Sequence, residues 1–180
     1  ACAKNGIIWS SCSPDFGAQG VVDRFKQIEP KVFITCDYYY YNGKKINILD
    51  KVEKILKQIP SIKKVIAFNY NKQERESLKN FINFEETLKN DLDEVFERFE
   101  FNHPIYILFS SGTTGKPKCI THGSGNVLIE HNKEFMLHCD IRENEKLFYY
   151  TTTGWMMWNW LVGGLATCLL YTSPSPRDGL

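Results

Sequence analysis

The sequence predicts an α/β fold, a layered α/β/α arrangement in which helices cover a largely parallel sheet, and three observations support this. Runs rich in β-branched and aromatic residues, KVFITC at 31–36, KKVIAF at 63–68 and YILFS at 106–110, have the length and composition of short buried strands. Between them lie stretches whose apolar residues recur at helical spacing. The two kinds alternate along the chain, which is the order that strand–helix–strand crossovers impose on a parallel sheet. With 180 residues and 43% apolar content, the chain can bury the core of one domain.

Taken in order, Ser13-Pro14-Asp15 is a helix-start signal, combining a capping hydroxyl, a proline at the first position and an early carboxylate. Val21, Val22, Phe25 and Ile28 then share one helical face, and Glu29-Pro30 ends the helix. After the strand at 31–36, Tyr38 to Gly43 reads as a turn-containing loop, with four consecutive tyrosines at a loop or strand end and alternate rings buried. From Asn47 to Ile59, Leu49, Val52, Ile55, Leu56 and Ile59 predict an amphipathic helix stopped by Pro60-Ser61. The strand at 63–68 leads into a charged stretch from Asn71 to Asn83, which reads as a surface connection with a short helix around Leu78. Leu88, Leu92, Val95, Phe96 and Phe99 predict a helix over 85–99.

The strand at 105–110 follows, then a second strand in CITHGSG, a helix over 126–139 and a strand at 147–151. Trp155 to Ala166 is an apolar helix. The Trp155 to Tyr171 run is slightly short for a membrane span, contains Gly163-Gly164 and lacks upstream cationic flanks, so it reads as a buried helix lining a small-molecule pocket.

Composition narrows the function. A net charge of +1, with both signs interspersed, leaves no footprint for nucleic acid. Cys2, Cys12, Cys36, Cys119, Cys139 and Cys168 include no C-x-x-C pair, which predicts reduced thiols and a cytoplasmic setting. His131 and His138 are too widely spaced to make a zinc site with Cys139. The HGSG at 122–125 lacks the G-x-S-x-G nucleophile elbow, and spacing alone builds no Ser-His-Asp arrangement, which disfavours a hydrolase.

The chemistry concentrates in YILFSSGTTGKPKCI at 106–120. Gly112 and Gly115 permit close backbone approach, Ser110, Ser111, Thr113 and Thr114 offer hydroxyls, and Lys116 and Lys118 offer positive charge. Successive loop N–H groups converging on an anion beside two ammonium groups suit a triphosphate. The Walker A pattern fails on spacing, because two residues separate Gly112 from Gly115 and Pro117 follows Lys116.

SSGTTGKPK resembles the phosphate-binding signature of the adenylate-forming enzymes, which comprise acyl-CoA synthetases, luciferases and peptide-synthetase adenylation domains. TTTGWMMWNWLVGGLAT at 151–167, with residues 7–34 and 101–126, is similar to the acetoacetyl-CoA synthetase branch, and the likeness spans nearly residues 1–167. This implies part of a large N-terminal AMP-binding (adenylation) domain. It also implies an acid–thiol ligase acting on ATP with Mg²⁺, acetoacetate and coenzyme A. By the same resemblance, Ser110 to Lys116 with Lys118 hold ATP phosphates, and Trp155, Met156 and Met157 contact the acid. The adenine and ribose motifs, the hinge and the catalytic lysine are expected beyond residue 167, and an upstream piece is expected before Ala1. Residues 168–180, turning abruptly to Ser, Pro and Arg, read as an atypical tail outside the family pattern. An acetate- or propionate-using relative and a non-catalytic nucleotide-binding module are the other readings.

Overall fold

In a computed structural model the described residues are 1–69, 81–88, 96–110, 115–167 and 170–171, and the chain divides into two compact units. One unit comprises Pro14–Glu94 with Ser111–Lys118, and the other comprises Ala1–Ser13, Val95–Ser110 and Cys119–Leu180.

The first of these is built on parallel strands, as the alternating pattern requires. Strand β1 (Val32–Cys36) lies parallel to β4 (Lys64–Phe68), with Val32 opposite Lys64 and Cys36 opposite Phe68. A two-residue strand, β5 (Ile82–Asn83), extends the sheet beside β4, within the stretch read from sequence as a surface connection. Residues 70–80, including the helix expected around Leu78, lie outside the described residues.

Helices α1 (Ala18–Phe25) and α2 (Leu49–Gln58) pack together in this unit. Val21, Val22 and Phe25 are buried as their spacing predicts, and Phe25 meets Phe33 of β1 edge-on at 6.1 Å between ring centroids. Val52, Ile55 and Ile59 are buried from α2 and its C-terminal cap, and Val52 joins Cys36 and Ile48 in a cluster flanked by Phe33 and Leu56. Burial pushes the Cys36 thiol up to about 11, so it stays protonated and packs as a small apolar group. Strand β1 is less buried than its composition suggests, because Val32 and Ile34 remain exposed on alternate positions.

Two local expectations change here. Helix α1 starts at Ala18 behind Gly17, four residues later than the Ser13-Pro14 signal, because Lys51 Nζ donates to the Pro14 and Phe16 carbonyls and holds that stretch as a turn. The tyrosine run is a strand, β2 (Tyr38–Tyr41), paired antiparallel with β3 (Lys44–Asn47). Asn42 and Gly43, at φ 48° and 69°, form the tight hairpin turn that Asn-Gly favours. Tyr38 is buried, with Lys45 Nζ 4.0 Å from its ring centroid, whereas Tyr40 and Tyr41 are exposed.

In the other unit, β6 (Pro104–Ser110) pairs with β7 (Lys118–Gly123), as expected. Trp9 joins the far edge of β6, donating its N–H to the Ile105 carbonyl at 3.0 Å and accepting from Ile107 N–H at 2.9 Å. Helix α4 (Ser124–Lys133) runs directly into a π-helical turn at Glu134–His138. Helix α5 (Met156–Gly163) ends in a tighter turn at Gly164–Thr167. Phe135 and Leu161 are fully buried, and the Phe135 and Trp160 rings lie 4.4 Å apart.

The predicted strand at 147–151 reduces to β8 (Lys146–Leu147), parallel to β9 (Leu170–Tyr171), and Phe148 and Tyr150 are exposed. Among the described residues, the predicted helix over 85–99 is represented by α3 (Phe84–Thr87) of the first unit, capped where Asn83 Oδ1 accepts from Glu85 N–H at 3.0 Å. Residues 89–95 lie outside the described residues, and Phe96 to Glu100 are not helical. Phe99 instead stacks on His103 at 4.5 Å, and Lys4 lies 4.6 Å over the Phe96 ring. Among the described residues no helix is long and apolar enough to cross a membrane.

Candidate functional site

The phosphate-loop residues are distributed as follows. Ser110 closes β6, Gly115, Lys116 and Pro117 lead into Lys118 at the start of β7, and Ser111, Gly112, Thr113 and Thr114 lie outside the described residues. Lys116 and Lys118 are exposed, so both ammonium groups are available to an anion. Pro117 has no N–H to give, but its carbonyl accepts from Gln27 Nε2 at 2.9 Å. Gln27 also donates to the Asp23 carbonyl at 2.6 Å, so the residues just after α1 hold the Lys-Pro-Lys exit of the loop. Sequence reasoning passed over Gln27, since an amide after a helix has no local mark of a partner 90 positions away.

The acid-contact residues sit at the N-terminal end of α5. Ser11 Oγ donates to the Thr153 carbonyl at 2.6 Å. A Cβ on Gly154 would stand 3.0 Å from the Ser13 backbone nitrogen, a tight approach that favours glycine here. Trp155 caps the helix in extended conformation and is 67% exposed, Met156 is exposed and Met157 is half-buried. The helix expected to be buried is therefore buried on one side only, through Leu161 with the half-buried Trp160 beside it, and presents an open face at Trp155 and Met156.

The orientation of α5 is set by a glycine against a histidine. A Cβ on Gly163 would fall 2.0 Å from His131 Nδ1, so the α4 imidazole occupies the space that a side chain there would fill. His131 is buried, with Phe135 edge-on at 6.2 Å. Burial holds its pKa below the ordinary 6.5, outweighing the opposing pull of Glu130. The unfolded chain therefore takes up this proton more readily than the folded one, and the packing is intact above pH 6.5 and weakens as pH falls towards the depressed folded value. Denaturant midpoints measured between pH 7.5 and pH 5 are expected to fall with acid, and His131→Gln to flatten that dependence. An equal acid slope in the variant would remove His131 as its source.

The other histidines have structural settings. The His122 ring lies 4.9 Å from that of Tyr106, a residue whose burial pushes its phenol up to about 12. Among the described residues no group of three or more His, Cys, Asp or Glu side chains is placed to hold a metal ion.

Comparison with known proteins agrees with the sequence signature. Residues 1–179 match the family model described as AMP-binding enzyme. The chain is 48% identical to acetoacetyl-coenzyme A synthetase of Rhizobium meliloti (strain 1021), over 99% of this chain and 29% of that protein. It is 39% identical to a malonamoyl-CoA synthetase of Penicillium aethiopicum, over 95% of this chain and 25% of that protein. Among solved structures, acetoacetyl-CoA synthetase from Streptomyces lividans superposes with a TM-score of 0.88 at 42% identity, covering 98% of this chain and 28% of that one. The chain thus spans between 25% and 29% of the length of these proteins. The parallel sheet with packed helices, the SSGTTGKPK sequence and the match along nearly the whole chain agree on one assignment: the chain belongs to the AMP-binding enzyme family.

Proposed function

We propose that the chain supplies the triphosphate-gripping loop and an acid-contacting helix of an ATP-dependent acid–thiol ligase whose acid is acetoacetate. The observation that carries this reading is the SSGTTGKPK segment between β6 and β7. In the reaction a carboxylate oxygen attacks the α-phosphorus of ATP, the bond to the β-phosphate oxygen breaks, and acyl-adenylate and pyrophosphate form. The thiol sulfur of coenzyme A then attacks the acyl carbon, AMP leaves, and the thiol proton passes to solvent.

The first step brings an anion to an anion while a more highly charged anion departs. Loop N–H groups, the hydroxyls of Ser110, Ser111, Thr113 and Thr114, and the ammonium groups of Lys116 and Lys118 offset the charge that builds on the leaving pyrophosphate. Gly112 and Gly115 let the backbone approach it. Mg²⁺ bound with the nucleotide would supply further positive charge to the departing phosphates. Trp155, Met156 and Met157 offer flat and adaptable apolar surface to a short acid. The free thiols of Cys2, Cys36 and Cys139 fit a reducing, cytoplasmic setting.

Two relatives' names support the substrate class. Acetoacetyl and malonamoyl groups both carry a carbonyl oxygen on the third carbon of the acid, with a methyl or an amino group beyond it. Acid-dependent pyrophosphate release by a complete acetoacetyl-CoA synthetase carrying these segments tests the reading. Acetoacetate is expected to exceed acetate and propionate in kcat/KM. Preference for acetate or propionate would reassign the acid, and ATP binding without acid-dependent release would reduce the protein to a nucleotide-binding module.

A further inference from the structure

Trp and Met surfaces alone discriminate weakly between a 3-oxo acid and the plain acid of the same length, because dispersion contacts hardly register one oxygen. Strong selection of an oxo group needs a donor that is otherwise left unpaired. Helix α5 contains one. Asn159 lies three positions after Met156 within the helix, a spacing that puts side chains side by side on one helix face. Its Nδ2 is buried and, among the described residues, makes no hydrogen bond. An unpaired buried amide carries a desolvation penalty that a ligand acceptor relieves. Thr151 Oγ1 is likewise buried and unpaired, but a hydroxyl accepts as well as donates and turns freely, so it specifies a ligand oxygen less sharply.

We propose that Asn159 is a specificity-determining residue, donating an N–H from Nδ2 to the 3-oxo oxygen of the acid. This rests on the reading of Trp155, Met156 and Met157 as acid contacts and assigns the polar half of that pocket. The apolar residues hold the carbon chain, and Asn159 reports whether an acceptor stands at the third carbon. Both named acyl groups satisfy it equally, since the methyl and the amino group lie beyond the shared carbonyl.

The test compares acetoacetate with butyrate, which has the same chain length and lacks the oxo group, in a complete acetoacetyl-CoA synthetase carrying the GWMMWNW segment. Asn159→Leu is expected to lower kcat/KM for acetoacetate about 100-fold, while the value for butyrate changes less than about threefold or rises, and KM for ATP stays put. If Asn159→Leu fails to fold, Asn159→Ala adds no bulk and is expected to shift the same ratio in the same direction. Equal loss on both acids, or no change on either, would overturn the assignment while leaving the ligase reading standing. Absence of acetoacetate-dependent pyrophosphate release in the unsubstituted enzyme would instead strike at the ligase reading itself, and the assignment would fall with it.

Discussion

Replacing Thr114 and Lys118 by alanine in a complete relative is expected to cut adenylate formation by about 100-fold or more, the scale of losing a preorganised donor aimed at developing charge. The loss should appear in kcat as well as in kcat/KM, because negative charge on the departing phosphates grows as their bond to the α-phosphorus breaks. Lys118 is exposed at the first residue of β7, so its removal takes away charge without opening a core. An unchanged denaturation midpoint together with reduced pyrophosphate release would separate chemistry from folding. Lys118→Arg should recover part of the rate, since it keeps the positive charge while altering the donor geometry. Pyrophosphate release at the unsubstituted rate in the double variant would dismiss the loop as the phosphate grip.

The residues that made this site legible are those whose chemistry is local. Two glycines, four hydroxyls and two lysines within nine positions announce an anion cradle without any knowledge of the rest of the chain. Strands β1, β4 and β6 were likewise readable, because β-branched runs bounded by polar residues admit few alternatives. Helix α2 was readable because its apolar stripe and its buried residues coincide at Val52, Ile55 and Ile59. What escaped depends on partners far along the chain. Lys51, 35 positions or more from the carbonyls it binds, delays the start of α1. The helical spacing of Phe96 and Phe99 is overridden by contacts with Lys4 and His103, and the fit of His131 against Gly163 joins two helices. The Asn42-Gly43 turn is a different case: its signal is local, but the run of rings before it is equally compatible with a loop or a strand end.

The same distinction between local pattern and distant partner makes the π-helical turn at Glu134–His138 the sharpest place to measure what holds α4 to α5. Phe135→Ala is expected to destabilise the chain by about 3–5 kcal/mol, the range for truncating a fully buried phenylalanine. Phe135 has no solvent exposure, and the deletion removes contacts on two sides, with Trp160 at 4.4 Å and with His131 at 6.2 Å between centroids. Neither partner can move in to fill the space cheaply, because His131 is already pinned against the backbone of Gly163. Two positions further on, in the same turn and with comparable hydrophobicity, Leu137 is 76% exposed. Leu137→Ala should therefore fall within about 0.5 kcal/mol of the parent in urea denaturation. If the two variants lost stability equally, intrinsic helix preference would account for both, and the packing of α4 on α5 through Phe135 would have no measurable share in stability. A large loss confined to Phe135 would instead place the energetic junction of the unit at the Phe135, Trp160 and His131 rings, of which Trp160 directly follows Asn159 on α5.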